Sequence, residues 1–341
     1  MKKNFSRIPP KILKNITSVA GVILLLAFFY VCFQIYFPEN FSSNKTIVYA
    51  VKKGYDDKKI AGDLQKLGII KSVSFFEFYD LISLQHSSLK AGDYNLSPRM
   101  SIYQIVKKIS NGDIIKNNLV ILEGWTVDDI GKYMQSKGVC SQTEFASLAK
   151  QDYSDRFDFL ADKPKNVSLE GYLFPDTYQV SDQETCDDAI NLMLENFGKK
   201  LTPALRTEIK KQKKSIFDIV TMASMIEKEV RSFSDKKIVS GILWKRIAIG
   251  MPLQLDSTIN YITDGNDPSV SIKNTKIKSP YNTYMYPGLP KGPISNPGID
   301  SITAAIYPTK TNYLYWLSDG VTRFSETLEE HNANRALYLG R

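Results

Sequence analysis

Ser215-Ile-Phe-Asp-Ile-Val-Thr-Met-Ala-Ser-Met-Ile-Glu-Lys-Glu-Val230 is the stretch on which the reading of this chain turns. At 100° per residue, Ile216, Ile219, Val220, Ala223, Ile226 and Val230 share one arc, which predicts a helix against a core. Glu227 falls inside that arc. Glu229 falls at its edge, between Met222 and Met225, and Lys228 points away. The ordinary place for a helical Glu is the solvated surface. Against apolar neighbours an ionised, unpaired carboxylate is costly. Burial then raises its pKa, the condition a general acid needs near neutral pH. A group at the arc's edge can face a cleft, whereas one at its centre more often serves structure.

Working outward, Ser168-Leu-Glu-Gly-Tyr-Leu-Phe-Pro-Asp-Thr-Tyr178 sets a second acid, Glu170, beside a glycine turn. Helical periodicity covers Cys186–Phe197 and, after the central helix, Ser240–Ile249. Gln254 and Asp256 then alternate, a spacing that aims two side chains the same way in an extended segment. Ser279–Gly298 is dense in Pro and Gly and carries Tyr281, Asn282, Tyr284 and Asn296. A loop this rigid presents hydrogen-bonding and stacking groups at little entropic cost, although it equally suits a connector. Asn312–Leu317 and Thr322–Phe324 read as strands turning at Asp319-Gly320. Glu326–Tyr338 reads as a closing helix with His331, Asn332 and Asn334.

At the other end, no charge interrupts the chain between Lys14 and Glu39. Residues 15–37 are long and apolar enough to cross a hydrocarbon core, and Pro38 stops the helix. The run is too long for a cleaved signal and ends in bulky residues. Phe29-Tyr30-Val31 does not suit a lipoprotein signal at Cys32. Lys2, Lys3, Arg7, Lys11 and Lys14 flank the segment, so the expectation is a single retained span with residues 1–14 in the cytoplasm and the rest outside.

Beyond the span, Gly54, Ile60, Leu64 and Gly68 repeat at the offsets of Gly124, Ile130, Met134 and Gly138. Each set follows an apolar run and predicts a strand, then a helix closed by a left-handed glycine. Ala91–Leu96 and Met100–Ile109 give a third such unit. Units this short should pack together as a small α+β module, which equally suits a plain spacer.

The net charge is +8 over 341 residues, but five positives precede the span and the remainder carries +3. That excludes nucleic acid as a partner expected on charge. With two histidines and no Cys/His cluster at ligand spacing, neither a zinc site nor another cofactor is expected. Cys140 and Cys186 are the two cysteines beyond the span; the sequence leaves their pairing open.

The motifs together resemble the endolytic murein transglycosylase family, MltG or YceG-like. They are Glu170-Gly-Tyr-Leu-Phe-Pro-Asp-Thr-Tyr178, Met222-Ala-Ser-Met-Ile-Glu-Lys-Glu229, Leu253-Gln-Leu-Asp256, Tyr281-Asn-Thr-Tyr284 and Gly288-Leu-Pro-Lys-Gly-Pro-Ile-Ser-Asn-Pro-Gly298. The resemblance implies an α+β chain: a cytoplasmic tail (1–14), a transmembrane helix (15–37), a LysM-like module that binds N-acetylglucosamine chains (46–116) and a mixed α+β catalytic domain (117–341). It implies Glu229 as the catalytic acid. Glu170, Glu227, Gln254, Asp256, Tyr281, Asn282, Tyr284 and Asn296 are then the expected substrate-binding groups. The chain departs from the family pattern at Ser257 and Lys291, where proline is usual. The implied reaction is lytic cleavage of peptidoglycan glycan strands at the bacterial inner membrane, leaving 1,6-anhydro ends and terminating nascent strands, with peptidoglycan synthases as neighbours. A lysozyme-like hydrolase and a non-enzymatic glycan-binding adaptor are the alternatives.

Overall fold

The computed structural model describes residues 10–83, 89–181, 183–265 and 270–340, so Lys2, Lys3 and Arg7 of the expected tail lie outside the described residues. The chain is mixed α+β and forms two compact units. One comprises Met1–Asn117 with Ser181–Gln183, and the other Asn118–Val180 with Glu184–Arg341.

The first unit opens with helix α1 (Pro10–Tyr36). Its Ser18–Tyr36 portion is long and apolar enough to cross a membrane, and almost all of it is exposed. Strand β1 (Ile47–Val51), helices α2 (Asp57–Lys66) and α3 (Val73–Ile82), strand β2 (Gly92–Leu96) and helix α4 (Ile102–Asn111) follow. β1 and β2 pair antiparallel, Ile47 opposite Leu96 and Val51 opposite Gly92. The ends of the helices follow from local chemistry. Asp56 caps α2, Ser101 and Gln104 close a capping box on α4, and Gly112 ends α4 at φ 72°. Ile60, Leu64, Phe76, Tyr94, Ile105 and Ile109 meet in a core of the unit's own.

The second unit contains strand β3 (Asn117–Val120), helices α5 (Val127–Ser136) and α6 (Gln142–Leu148), strand β4 (Thr177–Val180), and helices α7 (Cys186–Lys200), α8 (Pro203–Lys211), α9 (Ile216–Glu229), α10 (Phe233–Ala248), α11 (Asp256–Thr263) and α12 (Ile299–Ile306). The hairpin β5 (Tyr315–Ser318) and β6 (Thr322–Ser325) and helix α13 (Leu328–Leu339) complete it. Here the repeat reading needs correction. The second copy of the strand–helix pattern belongs to the second unit. Its strand is β3, which pairs with β4, and Ile130 and Met134 of α5 enter the second unit's core. Local pattern gave each unit correctly, but the partner strand lay about sixty residues downstream, beyond the reach of periodicity. Cys140 and Cys186 are disulfide-bonded, tying the segment after α5 to the first residue of α7.

α9 is the axis of this unit. Ser215 and Asp218 form its capping box, and Val230, in extended conformation, ends it. Ile219 to Ile226 are buried without a break, so the helix is enclosed all round through its middle rather than on one arc. Small residues let the Pro/Gly-rich loop close on it. The Ile294 amide donates to Ser224 Oγ at 3.0 Å, and Ser295 Oγ donates to the Ser224 carbonyl at 3.0 Å. Gly171 fits against the same place at φ 88°, where a Cβ would stand 2.6 Å from both Pro293 and Val220.

Candidate active site

Glu229 ends α9 just where the helix leaves the core. The residue is half-buried on the wall of a cleft of about 1270 Å³ within the second unit. Burial pushes its pKa from 4.5 up to about 7. The Ser257 hydroxyl, which donates to Oε1 at 2.7 Å, opposes that rise, the Asp256 charge adds to it, and Trp316 and the Arg246 charge oppose it. A carboxyl so balanced can give a proton at neutral pH and take one back.

Three elements build the surroundings. From α10, Arg246 is buried, donating from Nε to the Leu314 carbonyl (2.8 Å) and from Nη1 to the Leu253 carbonyl (2.6 Å). Its guanidinium lies 5.1 Å from the Tyr315 ring centre and 5.5 Å from that of Trp316. One side chain therefore fixes both the β5 wall and the segment entering α11. From that segment, Gln254 is exposed to the cleft at φ 54°. A left-handed non-glycine residue is held there because its amide donates to the Thr283 carbonyl (3.1 Å) and the next amide to Thr283 Oγ1 (3.0 Å). Asp256 begins α11 and accepts a short hydrogen bond from the Tyr284 hydroxyl. The alternation expected for Gln254 and Asp256 in an extended segment is thus incorrect. Both line the cleft, but through a left-handed turn and a helix start.

Glu170 forms the far wall. It is buried, accepts the Val127 amide at 3.1 Å on both oxygens, and accepts Asn296 Nδ2 at 3.0 Å and the Tyr261 hydroxyl at 3.4 Å. Desolvation raises its pKa to about 8 despite those bonds. Val127 is the first residue of α5, so Glu170 satisfies an amide that the helix leaves open.

The remaining expected residues divide. Tyr284 reaches the cleft. Glu227 does not line it. It is clamped by Lys236 Nζ (2.9 Å), the Gly298 amide (3.0 Å) and Ser301 Oγ (2.7 Å), with both members of the ion pair almost fully enclosed. Its position in the middle of the apolar arc has this physical consequence: a charge there must find a partner inside the protein. Asn282 is also taken up internally, donating to the Thr275 (2.9 Å) and Ile277 (2.8 Å) carbonyls and accepting the Tyr284 amide (2.9 Å). Asn296 bridges the Trp125 carbonyl, the Leu173 amide and Glu170. Tyr281 packs on Tyr261 with ring centres 5.1 Å apart. Glu227, Asn282 and Asn296 thus spend their polar atoms within the protein, and none of these four lines the cleft. An amide or phenol on a rigid loop satisfies neighbouring backbone as readily as a ligand.

Sequence reasoning missed Ser257, Arg246, Tyr261 and Trp316, and it left His331 without a role. His331 lines the cleft and stacks on Tyr315 with ring centres 5.4 Å apart. Burial and the Arg335 and Arg246 charges hold its pKa below the usual value. Nothing in one sequence joins a serine, an arginine in mid-helix and a C-terminal histidine. Only the departure at Ser257 marked a position worth inspecting.

Comparison with known proteins gives a consistent set. An endolytic murein transglycosylase of Bacillus subtilis (strain 168) is 32% identical over 316 residues, covering 89% of this chain and 87% of that protein. The protein of the same name from Streptococcus pneumoniae serotype 2 is 31% identical over 332 residues, and the match spans 60% of its greater length. A crystal structure of a YceG-like protein from Listeria monocytogenes superposes with a TM-score of 0.57 at 33% identity, covering 85% of this chain and 99% of that one. Residues 49–336 match the YceG-like family, and with this coverage the chain belongs to it.

Proposed function

We propose that this protein is a peptidoglycan lytic transglycosylase that cuts glycan strands internally, with Glu229 as its acid and base. The observation that carries the reading is the Glu229 carboxyl, hydrogen-bonded by Ser257 and raised to a pKa of about 7, on the wall of a cleft large enough for several sugar rings. The name shared by the Bacillus and pneumococcal relatives supports the substrate.

Protonated Glu229 gives its proton to the oxygen joining C1 of N-acetylmuramic acid to N-acetylglucosamine, and the C1–O bond breaks. The resulting carboxylate takes the proton of the muramic 6-hydroxyl as O6 bonds to C1. The product is a 1,6-anhydro end, no water is consumed, and Glu229 returns protonated. The nucleophile belongs to the same sugar, so proximity replaces the second carboxylate that a hydrolase uses to activate water or attack the sugar. Arg246 and Ser257 steady the carboxylate between the two transfers. Gln254, Asp256 and Tyr284 hold the sugar, and Glu170 keeps the wall that carries Val127 in place.

The first unit is read as the LysM-like glycan-binding module (46–116), supported by its separate core and its pair of antiparallel strands. α1 is read as a membrane span with its N-terminus in the cytoplasm, supported by its length, its exposed apolar surface and the lysines before it. A catalyst tethered at the bacterial inner membrane meets strands as they emerge, which suits the termination of nascent glycans beside their synthases.

The test is digestion of purified peptidoglycan by the full chain in detergent, with mass analysis of the products. Fragments one water lighter than hydrolysis products are expected, and Glu229→Gln should lower the rate by about 10²–10⁴-fold. Full-mass reducing ends would make the protein a hydrolase. No products from folded protein would leave only the adaptor reading.

A further inference from the structure

The first unit carries an apolar surface that its own core engages only along one edge, through Phe75 and Tyr79. On α3, Phe75, Tyr79, Ile82, Phe78 and Leu81 fall on one side at 100° per residue, opposite the buried Phe76 and Asp80. Phe78, Leu81 and Ile82 are 44, 60 and 53% exposed. This surface is continuous with α1. Phe75 meets Tyr30 with ring centres 5.8 Å apart, and Tyr79 meets Tyr36 at 6.3 Å. Tyr103 of α4 joins the same aromatic group, 5.5 Å from Tyr36.

Depth along α1 decides what covers it. The 19 residues Ser18–Tyr36 rise about 28 Å, nearly the thickness of a hydrocarbon core, so Tyr36 stands at its outer boundary. Tyr30 lies about 9 Å deeper by the same rise. A ring packed on Tyr30 of a lone span is therefore below the headgroups. Lys71, just before α3, sets its ammonium 5.1 Å from the Phe33 ring centre, near the outer end of α1.

We infer that the first unit is seated at the outer face of the bilayer, with α3 lying along the interface beside the outer end of α1, Phe75 below the headgroups and the Phe78, Leu81 and Ile82 stripe covered by lipid at the boundary. The inference rests on α1 being a membrane span. The occupant is the bilayer, because the stripe continues a surface that lipid already covers. Two or three large apolar side chains placed there hold the unit against the bilayer instead of leaving it on a loose tether.

The test places an environment-sensitive fluorophore on single cysteines of the full chain in phosphatidylethanolamine–phosphatidylglycerol vesicles containing a lipid with a nitroxide near its headgroup end. Labelling Cys32 reports the span. With Cys32→Ser, Ser74→Cys and Phe78→Cys report α3, and Lys53→Cys, beside a second lysine just past β1, reports a site that belongs in water. Quenching of at least about twofold is expected at 32, 74 and 78, with none at 53. Labels at 74 and 78 that behave like 53 while 32 is quenched would overturn the seating and leave the span intact; that result is also the one expected if the stripe is kept for a protein partner. An unquenched label at 32 would remove the span, and the seating with it.

Discussion

Glu229→Gln should make the protein more stable, and only above a particular pH. In the folded protein burial holds the Glu229 carboxyl near pKa 7, against 4.5 when exposed. That difference corresponds to about 3 kcal/mol of preference for the neutral form. Because the folded value is raised, the unfolded chain releases its proton first as pH climbs. Stability is therefore lost between about pH 4.5 and about pH 7 and stays lower above it. Glutamine keeps the shape and stays neutral, so it avoids the loss. Part of the carboxylate faces the cleft, which reduces the expected gain to about 2 kcal/mol at pH 8, with no difference at pH 4. For a unit of this size that is about 4–8 °C in melting temperature. The assay is thermal unfolding of both proteins at pH 4, 6 and 8, followed by circular dichroism. Glu170, also raised, is common to both and cancels. A variant no more stable at pH 8, or a difference independent of pH, would refute the claim that Glu229 is held neutral at a cost.

Ser257→Ala removes the hydroxyl that favours the charged form of Glu229, so the alkaline limb of the pH–rate profile should move up by about 0.7 pH unit, the worth of one net hydrogen bond. A limb that stays in place would separate Ser257 from the acid. Gly171→Ala forces a Cβ to 2.6 Å from Pro293 and Val220 at a left-handed φ, and chemical denaturation should show a loss of about 3 kcal/mol. Cys140→Ser opens a disulfide spanning 46 residues, and unfolding with and without reductant should differ by about 2–4 kcal/mol for the parent and not for the variant.

Much of this protein is written locally. The apolar run at 15–37 gave a helix because spanning length and absence of charge are properties of consecutive residues, and the structure has one over Pro10–Tyr36. The central helix was legible from its 3.6-residue period, and the structure adds the Ser215 and Asp218 capping box at its start. The terminal hairpin was legible from its turn, although β5 begins three residues later than the apolar run suggested. Not read from the sequence were the short helices α3, α6, α8, α11 and α12, of which α12 packs on α9 from a distant part of the chain. The two carboxylates of the Glu-Lys-Glu run show the boundary well. The helical wheel put Glu227 inside the apolar arc and Glu229 at its edge, which the sequence alone could not convert into roles. Tertiary structure brought Lys236, Gly298 and Ser301 to the first, making it a buried strut, and Ser257, Arg246 and an open cleft to the second. Period and composition fix which side of a helix a residue occupies. What stands opposite that side is a matter of contacts between residues far apart in the chain, and it is those contacts that set a carboxyl's pKa.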